Sequence, residues 1–389
     1  MAFAYIDRDL WRGGYNYLHN LFVAIGEVED APLKPCLYVG SHVGETELAP
    51  FRTLDHVEVI VSPLFDEMRV KRQLLRTLVV GYDSQVRAQL ASDRIDLVFE
   101  NARYFFGWRF PLPVIAWLPD FQHCHLPKMY GRMSWWKREI GYRVQVASRQ
   151  AVLLSSEDAR RDCERFYPSS RGKTAVVNFA TRVEVGLLPE LTETRVRSYG
   201  LEPGNYFFFP GQLYKHKNHL LVIRALGLLR QEGVQIDVAF SGETDDLRSR
   251  GFFNELSEEA SAHGVSGQAR FLGNIPFIDL LALMAHARAM LNPSLFEGWS
   301  TVVEEARSLG VPMLLSDLDV HQEQMGEAAT YFDRTRAESL ARCMREFPWV
   351  DPQLRLQQRV QAIADADARV RCFGENFVDF TRQMLAEYS

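Results

Sequence analysis

No run of about 18 or more apolar residues, the length a helix needs to cross a bilayer core, occurs in this 389-residue chain. The opening "MAFAYIDRDL" carries charge too early for a secretory signal. Cysteine is scarce: Cys36, Cys124, Cys163, Cys343 and Cys372 are scattered, with no CxxC pair. That excludes a disulfide framework and a zinc ribbon, and predicts reduced thiols. Positive charge is not in excess either. A net charge of −6 argues against a nucleic-acid partner, which would need a basic surface. Together these absences predict a cytoplasmic protein. Phosphate and metal signatures are missing too. There is no GxGxxG, and "RGKT" (171–174) fails as a P-loop because its leading glycine would fall at Tyr167. "DLD" (317–319) and "DAD" (365–367) are short acidic strings that arise readily by chance, so no metal is expected.

What is present is ample core material: 47% of the residues are hydrophobic and 12% aromatic. The length predicts two domains. Short apolar runs recur, each followed by a helical pattern. The first half has "FAYI", "PCLYVG", "VEVIVS", "DLVFE", "PVIAWL" and "AVLLSS". Runs of this kind suit parallel strands buried on both faces. After "TAVVNFA" (174–180) the pattern restarts with "NYFFFPG", "VQIDVAFSG", "ARFLG", "AMLNPS", "PMLLS" and "TYF". The expected fold is α/β, two Rossmann-like doubly wound domains facing an interdomain cleft. The boundaries expected are 1–180 and 181–374, with a last helix, about 375–389, packing back on the first domain.

"FEGWSTVVEEA" (296–306) crowds Glu297, Glu304 and Glu305 beside the apolar pair Val302 and Val303. A buried strand runs into a glycine turn, and a helix opens on Ser300. Ser300 and Thr301 are candidate N-caps, and a helix N-terminus reached from a glycine turn is an anion site. Glu297 lies in the loop and Glu305 on the helix, so both are placed to accept hydrogen bonds from ligand hydroxyls. Glu304 points about a hundred degrees from Glu305 and is expected to be the solvated one.

This stretch resembles the E-x7-E motif of retaining GT-B glycosyltransferases, specifically family 4, the glycosyl transferases group 1. "FPGQLYKHKNHLLVIRAL" (209–226) resembles that family's other C-domain signature, "WRGGYNYLHNL" (11–21) its N-domain glycine loop, and "WLPDFQHCHLP" (117–127) a subgroup's acceptor-side loop. Four signatures in order span nearly the whole chain.

The resemblance implies a metal-independent retaining hexosyltransferase that uses a nucleotide sugar as donor and needs no cofactor. Glu305 would bind ribose hydroxyls, and Glu297 the donor sugar. Gly298, Trp299, Ser300 and Thr301 would line the sugar and diphosphate. Lys217 would neutralise the diphosphate, and Gly13 and Gly14 would let backbone approach it. His123 or Asp120 would stand near the reacting carbon. Gln212 takes the place of the family's usual arginine, so either Lys215 substitutes or more rests on Lys217.

The implied acceptor is a glycan or lipid-linked glycan, and the implied role is surface polysaccharide synthesis. Alternatives are a non-catalytic nucleotide-sugar-binding subunit and a GT-B sugar phosphorylase or epimerase. "RVKRQLLR" (69–76) and "KMYGRMSWWKREIGYR" (128–143) interleave cations with apolar residues. They read either as ordinary helices with snorkelling cations or as a peripheral contact with the inner face of the plasma membrane.

Overall fold

The computed structural model describes residues 1–244, 251–349 and 351–388, without the side chains of residues 74–76 and 352. Two compact units emerge: Met1–Ala180 together with Ala368–Ser389, and Thr181–Asp367.

The first unit holds a seven-stranded parallel sheet in the order β3-β2-β1-β4-β5-β6-β7. Its strands are β1 (Ala2–Ala4), β2 (Cys36–Val39), β3 (Glu58–Val61), β4 (Val98–Asn101), β5 (Val114–Trp117), β6 (Ala151–Leu154) and β7 (Thr174–Val176). Its helices are α1 (Arg12–Gly26), α2 (Glu45–Arg52), α3 (Glu67–Val80), α4 (Ser84–Ser92), α5 (Gln122–His125), α6 (Arg132–Ser148) and α7 (Glu157–Phe166). Every residue of β2, β4, β5 and β6 is buried, as continuous apolar runs require of strands covered on both faces. "VEVIVS" differs. It forms β3 at the sheet edge, where Val61 is 48% exposed and Glu58 pairs with Lys34 at 2.6 Å. A charged edge discourages pairing with a further strand.

The second unit repeats the plan with a six-stranded parallel sheet in the order β10-β9-β8-β11-β12-β13. Its strands are β8 (Tyr206–Pro210), β9 (Asp237–Ser241), β10 (Ala269–Phe271), β11 (Ala289–Asn292), β12 (Met313–Ser316) and β13 (Thr330–Phe332). Its helices are α8 (Glu193–Ser198), α9 (His219–Gln231), α10 (Phe252–Ala262), α11 (Phe277–His286), α12 (Thr301–Ser308), α13 (Asp319–Met325) and α14 (Ala337–Glu346). Phe207, Phe208 and Phe209 of β8 are all buried, alternately on the two sides of the sheet. Each such side chain contributes roughly 1.5–3 kcal/mol.

A last helix, α15 (Pro352–Tyr388), supplies the returning segment of the first unit. There Phe373 packs 5.9 Å from Tyr17 and 5.7 Å from Phe179, and Phe377 packs 6.0 Å from Phe99, centroid to centroid. No helix of the described residues is long and apolar enough to cross a membrane.

Candidate functional site

In the second unit the loops leaving β8 and β11 are stitched together at the carboxyl end of the sheet. The Leu295 N–H donates to the His216 carbonyl at 2.8 Å, and Asn218 Nδ2 donates to the Pro293 carbonyl at 3.1 Å. Asn218 takes a left-handed conformation (φ 64°) to open α9. This closure brings Lys217 Nζ to 2.6 Å from Glu297 Oε1. Ser294 Oγ donates to the same carboxylate oxygen at 2.6 Å. Burial alone would raise the Glu297 carboxyl, but the Lys217 cation, His321 and these hydrogen bonds hold it down to about 2. Glu297 is therefore ionised at any working pH.

Behind it lies a buried polar frame. Asn292 Oδ1 accepts from the Ser294 backbone N–H at 3.3 Å, while Asn292 Nδ2 donates to Ser300 Oγ at 2.9 Å. Ser300 thus occupies the N-cap position of α12 but makes no side-chain cap bond. Its hydroxyl is turned inward to Asn292 instead. The N–H groups of Thr301 and Val302 consequently have no partner among the described residues, the state in which a helix end attracts an anion. Gly298 and Trp299 lie half-buried in the turn between Glu297 and this helix.

The expectation that Glu304 is the solvated carboxylate is overturned. Glu304 is 1% exposed, and its Oε1 accepts from Gln324 Nε2 of α13 at 2.8 Å. Gln324 Nε2 also donates to the Ser300 carbonyl at 2.9 Å. The helix face set by Val303 and Ala306 packs on the core, and Glu304 is carried inward, where an amide from α13 receives it. Glu305 remains half-buried. Protein mass around its carboxyl raises it to about 7 by burial, and no group among the described residues bonds to it. A crowded carboxyl without a protein partner is the feature most suggestive of a ligand here.

Gln212 Oε1 accepts from the Glu243 backbone N–H at 3.0 Å, tying the loop after β8 to the loop after β9. The two backbones run so close that a Cβ on Gly242 (φ 142°) would meet the Gly211 carbonyl oxygen at 2.2 Å. Lys215 is exposed and turned toward α10, with Nζ 3.0 Å from Glu255. Of the two lysines, only Lys217 meets Glu297.

The sequence-predicted residues of the first unit fall in several places. Gly13 and Gly14 form the first turn of α1 rather than a loop. The reason is Trp11, which stacks on Trp117 at 5.3 Å and starts the helix with its carbonyl. A Cβ on Gly14 would lie 2.4 Å from the Trp11 ring, whereas Gly13 is exposed. His123 is fully enclosed, with Nε2 3.1 Å from the Tyr167 hydroxyl and 3.3 Å from Glu139 Oε2. Burial, then the Arg138 cation, lowers its basicity, so it is a neutral, held imidazole. Asp120 is half-buried and bonded to Arg138 at 2.6 Å.

As to metals, Nε2 of His123, Sγ of Cys124 and the Glu139 carboxylate lie within 4.8 Å of one another, already joined by hydrogen bonds. The acidic strings are engaged elsewhere: Asp317 pairs with Arg334 and Asp367 with Arg182. Sequence reasoning missed Asn292, Ser294, Gln324 and His321. For Asn292 and Ser294 the one signal was short polar residues ending an apolar strand, in "LNPS"; His321 and Gln324 lie on α13 and had none.

Known proteins share this fold. Residues 192–355 match the family model described as glycosyl transferases group 1. An O-antigen chain mannosyltransferase B from Escherichia coli is 27% identical over 202 residues, half of each chain. Among solved structures, a glycosyltransferase from Rickettsia africae aligns with TM-score 0.69 at 12% identity, covering 99% of this chain and 97% of its own. HepE from Anabaena, solved with UDP and glucose, aligns with TM-score 0.65 at 15% identity over 98% and 100%. The chain therefore has the two-domain GT-B fold, and its second unit carries a glycosyl transferases group 1 domain.

Proposed function

We propose that this protein is a retaining glycosyltransferase that moves a sugar from a nucleoside-diphosphate sugar to a glycan or lipid-linked glycan acceptor. The observation that carries the reading is the pairing of an ionised, lysine-held Glu297 with a partnerless Glu305 on either side of an open helix N-terminus. Glu305 accepts the ribose hydroxyls and Glu297 the hydroxyls of the donor sugar. Between them the diphosphate meets the Thr301 and Val302 N–H groups and the remaining donors of Lys217.

Breaking the anomeric bond develops charge on the leaving phosphate, and preorganised donors stabilise that charge without reorganising. Same-face attack assisted by the leaving phosphate accounts for retention. The UDP and glucose held by HepE and the O-antigen role named for the Escherichia coli relative support a nucleotide sugar donor and a surface polysaccharide product. The seat of action is the cytoplasm, with peripheral contact at the inner face of the plasma membrane.

Donor hydrolysis without acceptor tests the reading. Release of free sugar supports a transferase, whereas tight binding without turnover would make the chain a binding subunit. Gln212, being uncharged, is the residue that keeps that second reading open. Sugar phosphate formed from inorganic phosphate would indicate a phosphorylase.

Lys217 and the helix end supply the positive charge in this scheme. Turnover is accordingly expected to survive an excess of chelator. Loss on chelation with recovery on adding a divalent ion would return the acidic strings 317–319 and 365–367 to consideration.

A further inference from the structure

The first unit contains a cavity of about 850 Å³ lined by α3, α6 and the loops that leave β1, β4 and β5. Its volume is that of a small-molecule site, and it lies at the carboxyl ends of parallel strands. Among the described residues five cations reach it, Arg69, Lys71, Arg103, Lys137 and Arg138, against two carboxylates, Asp83 and Asp120. Both carboxylates are spoken for: Asp83 pairs with Arg69 at 2.9 Å, and Asp120 with Arg138 at 2.6 Å. Lys71 pairs with Glu67 of its own helix. Arg103 and Lys137 have no carboxylate partner among the described residues and are the cations left over for a ligand.

The face of α6 that carries Lys137 and Ile140 to the cavity is otherwise apolar and turned to solvent. Met133, Trp136 and Ile140 are 73%, 56% and 56% exposed. With Lys137 they fall at i, i+3, i+4 and i+7, a single stripe along α6. Helix α3, which also lines the cavity, exposes Met68, Val79 and Val80. One glycine adds an independent sign. Gly141 sits inside α6, where glycine costs helix stability relative to alanine. A Cβ there would meet nothing within 4 Å, so packing among the described residues does not demand a glycine. It lines the cavity and enlarges it.

We propose that this cavity holds the phosphate-bearing end of an amphiphilic acceptor, with Arg103 and Lys137 on the phosphate and the α6 stripe along the apolar chain. The word acceptor rests on the transferase reading above; the binding claim does not.

The test is calorimetric titration of the full chain with decyl phosphate below its micellar concentration, alongside decyl glucoside and glucose 6-phosphate. Two variants accompany the wild type: the double substitution Arg103→Gln with Lys137→Gln, and Gly141→Phe, which fills the space without altering charge. Decyl phosphate is expected to bind at least about tenfold tighter than either comparison compound, the difference one charge-assisted contact supports. Both variants should lose about tenfold for it. Equal binding of decyl glucoside, or no loss in either variant, overturns the proposal. Glucose 6-phosphate binding as tightly as decyl phosphate would assign the site to a soluble phosphorylated glycan and overturn the amphiphile. Nucleoside diphosphates titrated in parallel report on the second unit alone. Their failure would remove the donor reading while leaving the cavity result standing.

Discussion

Lys217→Ala is expected to lower donor turnover about 10²–10³-fold, the usual loss when one preorganised donor to a developing oxyanion is removed. Two effects combine. The diphosphate loses its cation, and Glu297 loses the partner 2.6 Å away that keeps it ionised against burial. With the cation gone, burial acts unopposed and the Glu297 carboxyl rises. The acid limb of the pH–rate profile should therefore move to higher pH in the variant. The Ser294 hydroxyl remains and limits that movement. Steady-state hydrolysis across pH measures both effects. The loss should appear mainly in kcat, because the charge develops as the bond breaks. An unchanged kcat would remove Lys217 from the chemistry.

Glu305→Gln should weaken nucleoside-diphosphate binding roughly 10- to 150-fold, since hydrogen bonds to a charged group are worth about 1.5–3 kcal/mol. The same change should stabilise the unliganded protein at high pH. Burial raises the Glu305 carboxyl from its ordinary value of 4.5 to about 7. A group raised in the folded state keeps its full contribution to stability below about pH 4.5 and loses it as pH rises through 7. Glutamine carries no such loss. The melting temperature of the variant should match wild type near pH 4.5 and exceed it near pH 8. Glu304→Gln makes the contrast. It weakens a buried bond to Gln324, so it should cost stability at both pH values. If Glu305→Gln is no more stable than wild type at high pH, the crowding of that carboxyl is wrong.

The fold was readable because strands buried on both faces leave continuous apolar runs, and the inner strands of both sheets are of that kind. β3 departed from the pattern because an edge strand has one open side and tolerates Glu58. Side-chain direction on α12 was harder. Helical spacing separates Glu304 from Glu305 by a hundred degrees but does not say which faces the core. That was decided by Gln324, nineteen or twenty positions downstream on another helix. Gly13 and Gly14 looked like a loop because a double glycine signals a turn. The stack of Trp11 on Trp117 overrode it, a contact across roughly a hundred residues that no local pattern carries. His123 was similarly invisible as an enclosed group, since Glu139 and Tyr167 surround it from α6 and the end of α7.

The most direct test of the nucleotide-sugar reading is thermal unfolding of the wild-type chain against a panel of nucleotide sugars. A ligand that binds only the folded state at a hundred times its Kd adds about 2.7 kcal/mol. At least one member of the panel should raise the melting temperature, and its nucleoside diphosphate should retain most of that rise. No shift with any member at millimolar concentration would contradict the assignment of Glu297, Lys217 and Glu305 to a donor site.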